Sequence, residues 1–256
     1  MIAFLSDLHS NQEAMEAVLR DVDEQGVETV VCLGDIVGYG ASPREVVQAT
    51  RQRARVTLLG NHDAALLDDR DARGFNERAL QAIDWTRRAL DPEREENWDL
   101  WDWLGGLVPA MELTDDEIGE SVQIVHASPC DPLSEYLLPS LGNRPEQLQA
   151  NFEAARHRVT FFGHTHHSGF FPEGGPFVRA AEAGEDPVLD AGRRYLVNVG
   201  SVGQPRDGDP RLGYALFDGE RVRWRRLPYD VQTASRKILE VEDLPDSLGS
   251  RLLMGR

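Results

Sequence analysis

With 256 residues, 41% apolar and 28% charged, the chain can bury a sizeable core and fits one domain, 1–256, carrying an insertion. Its formal charge of -17 and pI near 4.8 argue against long nucleic acid as a partner, because an acidic surface repels polyanions. No stretch approaches the ~20 apolar residues of a membrane helix, the start Met1–Asp7 lacks the pattern of a signal peptide, and Cys32 and Cys130 suit a reducing compartment, so a cytoplasmic protein with no membrane partner is expected.

In chain order, Ile2–Leu5 reads as a buried strand. Ser10 and Glu13 have capping-box spacing, and Met15, Val18, Leu19 and Val22 then recur at helical intervals up to a stop at Gly26. Thr29–Leu33 is a second strand. Ser42-Pro43 opens a second helix with proline at its first position. Arg55–Leu59 is a third strand. Residues 64–110 then read as a helical insert, with Ala79, Leu80, Ile83 and Leu90 on one face and a restart at Asp91-Pro92 bearing Trp98, Trp101 and Leu104. These tryptophans are assigned to core packing. Strands resume at Val122–Val125 and Val159–Phe162, separated by a helix with Leu148, Phe152 and Ala155 on one face. The end is strand-rich, from Tyr195 through Tyr214–Phe217 and Val222–Leu227, with a turn at Gly219. This alternation is an α/β pattern.

Chemistry concentrates where strands end, the place where open α/β sheets bind ligands. Five of the expected strands run into Asp7-Leu8-His9, Gly34-Asp35, Gly60-Asn61-His62-Asp63, His126-Ala127-Ser128 and Gly163-His164-Thr165-His166. The chain has seven histidines, and His9, His62, His126, His164 and His166 all fall in these blocks. His157 and His167 read as ordinary. Residues two apart on an extended segment project to one side, so Asp7 with His9, and His164 with His166, are expected to reach common loci. Carboxylate, imidazole and amide donors suit Mn, Fe or Zn, with Mn or Fe favoured. The glycines before Asp35, Asn61 and His164 are read as tight-turn residues.

Other chemistries fit less well. Lys237, the only lysine, lies in a helical context, so no Gly-rich phosphate loop carries the lysine it needs. Ser6–Asn11 is not the Gly-x-Gly-x-x-Gly of a dinucleotide site. Gly200-Ser201-Val202-Gly203 is not a serine-hydrolase elbow and is read as a turn near the site. Cys130 reads as an unpaired thiol without a catalytic motif.

The ordered series Asp-x-His, Gly-Asp, Gly-Asn-His, His and Gly-His-x-His, spanning residues 7–166, resembles the calcineurin-like metallophosphoesterase family. Ser6–Asn11, Gly38-Tyr39-Gly40, Phe75-Asn76, His126–Pro129 and Gly200–Gly208 are similar to a bacterial and archaeal branch of small phosphoesterases. Two departures, His167-Ser168 after the last motif and Val199 where such proteins often carry proline, fall outside the ligand set. The resemblance implies a four-layer αββα sandwich of two mixed sheets flanked by helices. It implies two divalent metals: one on Asp7, His9, Asp35 and His166, the other on Asp35, Asn61, His126 and His164, with Asp35 bridging. Such metals typically lie ~3.5–4 Å apart and clamp an in-line displacement. His62 would assist the leaving oxygen, and Asp63 would cap the following helix in preference to orienting His62. Arg206, in a Gly- and Pro-rich loop, is a candidate for binding substrate phosphate, against a surface pair with Asp207 or Asp209. The expected reaction is hydrolysis of a small phosphodiester or phosphomonoester. A metal-binding scaffold and a protein phosphatase are the alternative functions.

Overall fold

The computed structural model describes residues 1–116 and 118–256. Strand β1 (Ile2–Leu5) is buried throughout, and its alternate residues serve two cores. Ile2 and Phe4 face a second sheet, whereas Ala3 and Leu5 face helices, as the two-residue period of a strand between two layers requires. Strand β2 (Thr29–Cys32) repeats this, with Val31 toward the second sheet and Val30 and Cys32 toward helices.

The first sheet has the order β11-β10-β1-β2-β3, where β3 is Val56–Thr57, β10 is Leu212–Phe217 and β11 is Val222–Leu227. Strands β1, β2 and β3 are parallel, while β10 and β11 add an antiparallel edge. The second sheet has the order β4-β5-β6-β9-β7-β8, with β4 at Ala110–Asp115, β5 at Glu120–Val125, β6 at Val159–Phe162, β7 at Gly169–Pro172, β8 at Val178–Arg179 and β9 at Tyr195–Asn198. Its β5, β6 and β9 are parallel to one another. The two sheets pack through Phe4, Val31, Phe161, Val197 and Phe217. Phe4 and Phe161 stack across the interface at 4.0 Å between centroids.

Helices α1 (Gln12–Glu24), α2 (Pro43–Arg53) and α5 (Trp98–Gly105) contribute apolar residues to the core on the outer face of the first sheet. Helix α6 (Pro145–Ala154) covers the outer face of the second with Leu148 and Phe152. The result is the expected four-layer sandwich of two mixed sheets flanked by helices. Between β3 and β4 lie α3 (Asn61–Leu67), α4 (Glu77–Ala89), a 3-10 turn and α5. At the C-terminus α7 (Val231–Leu239) and α8 (Asp246–Leu252) form a small core with α4 around Ala79, Ala82, Ile238 and Leu248.

Local expectations are corrected at four points. Helix α1 is capped by Asn11, whose side chain accepts from the Ala14 N–H at 3.1 Å; Ser10 is committed to a left-handed backbone, φ 53°, and its N–H bonds Ile36 instead. The third strand shrinks to two paired residues, and α3 begins at Asn61, three residues before the expected insert. Strands β4, β7 and β8 lie where no strand was expected. Trp98 is exposed, its indole N–H bonded to the Pro92 carbonyl, whereas Trp101 and Trp103 do pack against the core.

Candidate metal centre

The carboxyl ends of β1, β2, β5, β6 and β9 converge on one edge of the sandwich. The chain leaves these strands in unusual conformations. Asp7, His9, Asp35, His164 and His166 all have φ between 47° and 62°, the left-handed region that non-glycine residues seldom occupy. The extended spacing expected of Asp7 with His9 is therefore incorrect. The two still meet, because the turn curls back and hydrogen bonds from the Asp7, His9 and Ser10 N–H groups to Gly34, Asp35 and Ile36 hold it there. His164 and His166 fall to different partners, the first beside Asp35 and His126 and the second beside Asp7 and His9.

Three overlapping groups of donor atoms result: Asp7, His9 and His166; His9, Asp35 and His62; and Asp35, His126 and His164, each with its donor atoms within 4.8 Å of one another. Asp35 and His9 each belong to two of them. The Asn61 Oδ1 lies 3.1 Å from His126 Nε2, beside the third group. All of these residues are buried.

The glycine reading also changes. Gly34 supplies a positive φ of 98°, but Gly60 is extended, and its role is close approach: a Cβ there would meet the Asp35 N at 2.1 Å. A Cβ on Gly163 would meet the Asp7 Oδ2 at 2.7 Å. Both positions leave room for a carboxylate.

The tautomers follow from the surroundings. The Nδ1 atoms of His9, His126 and His166 face the carbonyls of Val37, Leu33 and Gln204. A carbonyl only accepts, so each Nδ1 carries the proton and each Nε2 presents a lone pair inward. His9 Nε2 then faces His166 Nε2 at 3.2 Å, and His166 Nε2 faces the Asp7 Oδ1 at 3.3 Å. Each of these is one acceptor against another with no proton between. Buried His164 Nε2 has no hydrogen-bond partner. Such a set is unfavourable alone and becomes favourable around cations, with the backbone carbonyls acting as the outer partners that orient metal-binding histidines. Burial, and then the neighbouring imidazoles and Arg206, holds His9 and His164 well below the usual histidine range. Burial lifts Asp7 to about 6 and Asp35 well above the usual carboxylate range. The residues present fit divalent cations.

His62 occupies the first turn of α3. Its backbone N–H donates to Asp35 at 2.8 Å, and its ring lies against Tyr39, Phe75 and His9 at 4.4, 4.7 and 4.9 Å. Asp63 is the third residue of α3. It accepts from Gly60, Ile36 and Val37 N–H groups at 3.0 Å each, tying the helix start to the turn that carries Asp35. Arg206 donates to Gln204, while Asp207 and Asp209 are taken by Arg226 and Arg211. The 200–204 segment holds the first motif in place, through Ser201 Oγ and Gly203 N donating to the Asp7 carbonyl. Cys130 lies at the surface, where burial of its thiol, then Glu135 and Glu153, raises its pKa and leaves it a poor nucleophile. His157 is half-buried, with its Nε2 3.5 Å from the Glu112 carboxylate.

Sequence reasoning missed Tyr136, whose ring packs at a tilt against His164 with 4.0 Å between centroids, and Gln204, which supports His166. Neither has a motif; Gln204 lies in the Gly200–Gly208 stretch, where the sequence gives it no role of its own. A depression of about 770 Å³ lined by Ile118, Arg158, Asp190 and Asp218 lies at the amino ends of β5 and β6, away from this chemistry.

Residues 1–221 match the family model described as the calcineurin-like phosphoesterase superfamily domain. The chain is 36% identical over 264 residues to the uncharacterized protein MJ0912 of Methanocaldococcus jannaschii, covering all of this chain and 98% of the relative. It is similar to the crystal structure of a metallophosphoesterase from Sphaerobacter thermophilus, at 34% identity and TM-score 0.80, covering 100% of this chain and 99% of the other. The hypothetical protein PH1004 of Pyrococcus horikoshii shares the fold at 21% identity and TM-score 0.75, with coverage of 100% and 99%.

Proposed function

The chain belongs to the calcineurin-like phosphoesterase superfamily, and on that premise we propose that it hydrolyses small soluble phosphate esters at the centre built on Asp35. Asp7, His9, Asp35 and His166 would hold one divalent cation, and Asp35, Asn61, His126 and His164 a second. The observation that carries this reading is the set of buried acceptors facing one another, His9 Nε2 against His166 Nε2 and His166 Nε2 against Asp7. When bound, two such cations lower the pKa of water from ~15.7 toward ~7 and neutralise charge on phosphate oxygens.

The chain's own groups would do the rest. Asp63 holds the turn that presents Asp35, and the Leu33, Val37 and Gln204 carbonyls keep the imidazole lone pairs pointed inward. Burial, then Arg206 and His166, keeps His62 well below its usual range, so it is neutral at physiological pH. It would serve as an N–H donor to the leaving oxygen. Phe75 and Tyr136 flank His62 and His164, forming aromatic walls suited to a small ester with a flat leaving group. The acidic surface, with a formal charge of -17, disfavours long nucleic acid. Mn²⁺ or Fe²⁺ suits the mixed carboxylate, imidazole and amide set, and a reducing cytoplasm suits the unpaired Cys32 and Cys130.

A substrate panel on Mn²⁺-reconstituted protein tests this. It should turn over small chromogenic phosphoesters or nucleotides and leave long DNA and RNA intact. Efficient cleavage of polymeric DNA at physiological salt would overturn the small-substrate reading, and inactivity on every ester would favour a scaffold.

A further inference from the structure

Arg206, in the 203–208 loop, and Arg251, in α8, converge on one neutral acceptor. The Gln204 Oε1 takes an N–H from Arg206 at 3.0 Å and from Arg251 at 2.5 Å. Both guanidinium groups lie over the Tyr39 ring, 5.8 and 4.5 Å from its centroid. Their Nε atoms are buried without a hydrogen-bond partner. Among the described residues neither has a carboxylate within ion-pair distance, although the chain carries 44 acidic residues against 27 basic ones. Other partly buried arginines do find one: Arg158 has Glu120, Arg223 has Asp186 and Arg225 has Asp21. Two like charges sharing one amide, partly out of water, are held at a cost. Burial, and then Arg206, pushes Arg251 down to about 10.

This pair adjoins the candidate metal centre. Gln204, whose side chain gathers the two arginines, accepts through its own carbonyl from His166. Tyr39, which lies under them, packs on His9 and His62 at 4.7 and 4.4 Å. The Arg206 charge also faces Asp7 and Asp35 and partly offsets the burial that raises both carboxylates. A guanidinium with free N–H groups matches phosphate oxygens in two-pronged fashion.

We propose that Arg206 and Arg251 form a subsite for a second, non-scissile phosphoryl group, so that the preferred substrate carries two phosphoryl groups close together, as nucleoside polyphosphates do. The proposal rests on the phosphoesterase reading above and deepens it. Arg251 lies beyond residues 1–221, the part that the family model matches, so the C-terminal helices would set this preference.

Titration calorimetry with methylenediphosphonate and with inorganic phosphate, on Mn²⁺-loaded and on metal-stripped protein, tests the subsite. The loaded protein should bind the diphosphonate at least about tenfold more tightly than phosphate, the range of hydrogen bonds to charged groups. Arg206→Ala and Arg251→Ala should each remove most of that preference while phosphate affinity stays within about twofold. Arg251→Gln, which keeps the bulk that packs on Tyr39, serves if the alanine variant misfolds and should lose the preference as well. A pair that merely pins α8 would change the melting temperature and leave the ratio alone, which would overturn the proposal. So would an equal loss for both anions, which would assign the arginines to the scissile phosphate. If the ratio behaves as expected but no ester is hydrolysed, the subsite stands and the phosphoesterase reading falls. If esters are hydrolysed and the ratio is indifferent to both arginines, the reverse holds.

Discussion

His62 and the candidate ligands touch one another yet differ in chemistry. The Nδ1 atoms of His9, His126 and His166 are spent on carbonyls, leaving one inward lone pair each, whereas His62 Nδ1 is buried without a partner. We expect His62→Ala to keep its metals and lose about 10²–10⁴-fold in kcat, the span of acid–base groups. The loss should shrink for esters with acidic leaving groups, which need little help from a donor. Paired steady-state assays on good and poor leaving groups read this directly, and an equal loss for both would count against the donor role. The identities of these residues were legible in the sequence because histidine is scarce in this chain and clusters in short blocks with Asp and Asn. Their conformations were not. Nothing in Asp7-Leu8-His9 announces two left-handed residues, because that strain is held by contacts to the 34–36 turn. Arg251 and Tyr136 reach the site from distant segments without a local pattern, so they were invisible for the same reason.

At the scale of elements, α1 is braced to the first sheet by Asp21. Its carboxylate accepts from the Tyr214 hydroxyl at 2.5 Å and from Arg225 at 2.6 and 3.0 Å. Burial alone would raise the Asp21 pKa, but the Arg225 and Tyr214 hydrogen bonds outweigh it and hold it below the usual value. A depressed folded-state pKa contributes stability that is complete above the unfolded value, ~3.9, and is lost as pH falls through the folded value. Asp21→Asn should therefore be less stable than the parent at pH 7 by roughly 1–3 kcal/mol, with the gap closing below about pH 4, as urea melts across pH would reveal. A gap that widened in acid would contradict the assignment. Among the strands, β1, β6 and β11 have the expected limits, the first two because they are short buried apolar runs. Strand β7 begins with glycine and ends with proline, β8 has only two residues, and β4 exposes Met111, Glu112 and Thr114. None of these carries the apolar run or clean alternation that marks a strand, and pairing with neighbours supplies their stability.

On the scale of the whole molecule, the candidate centre exists only where two sheets meet. Asp7 and Asp35 follow strands of the first sheet, Asn61 opens α3 directly after it, and His126, His164 and His166 follow strands of the second. The α/β class and the four layers could be read from the alternation of elements together with the motif series, but the docking of one sheet on the other is a matter of long-range packing, through Phe4 on Phe161 and Phe161 on Phe217. That docking brings His126 Nε2 within 3.5 Å of the Asp35 carboxylate, which already lies 3.7 Å from His9 Nε2 of its own sheet. In the proposed assignment Asp35 is shared by both cations, so the metal content of purified Asp35→Asn beside the parent is the most direct test. The parent chain should hold two divalent metals and Asp35→Asn should lose both; full retention of two metals by the variant would contradict the bridging assignment.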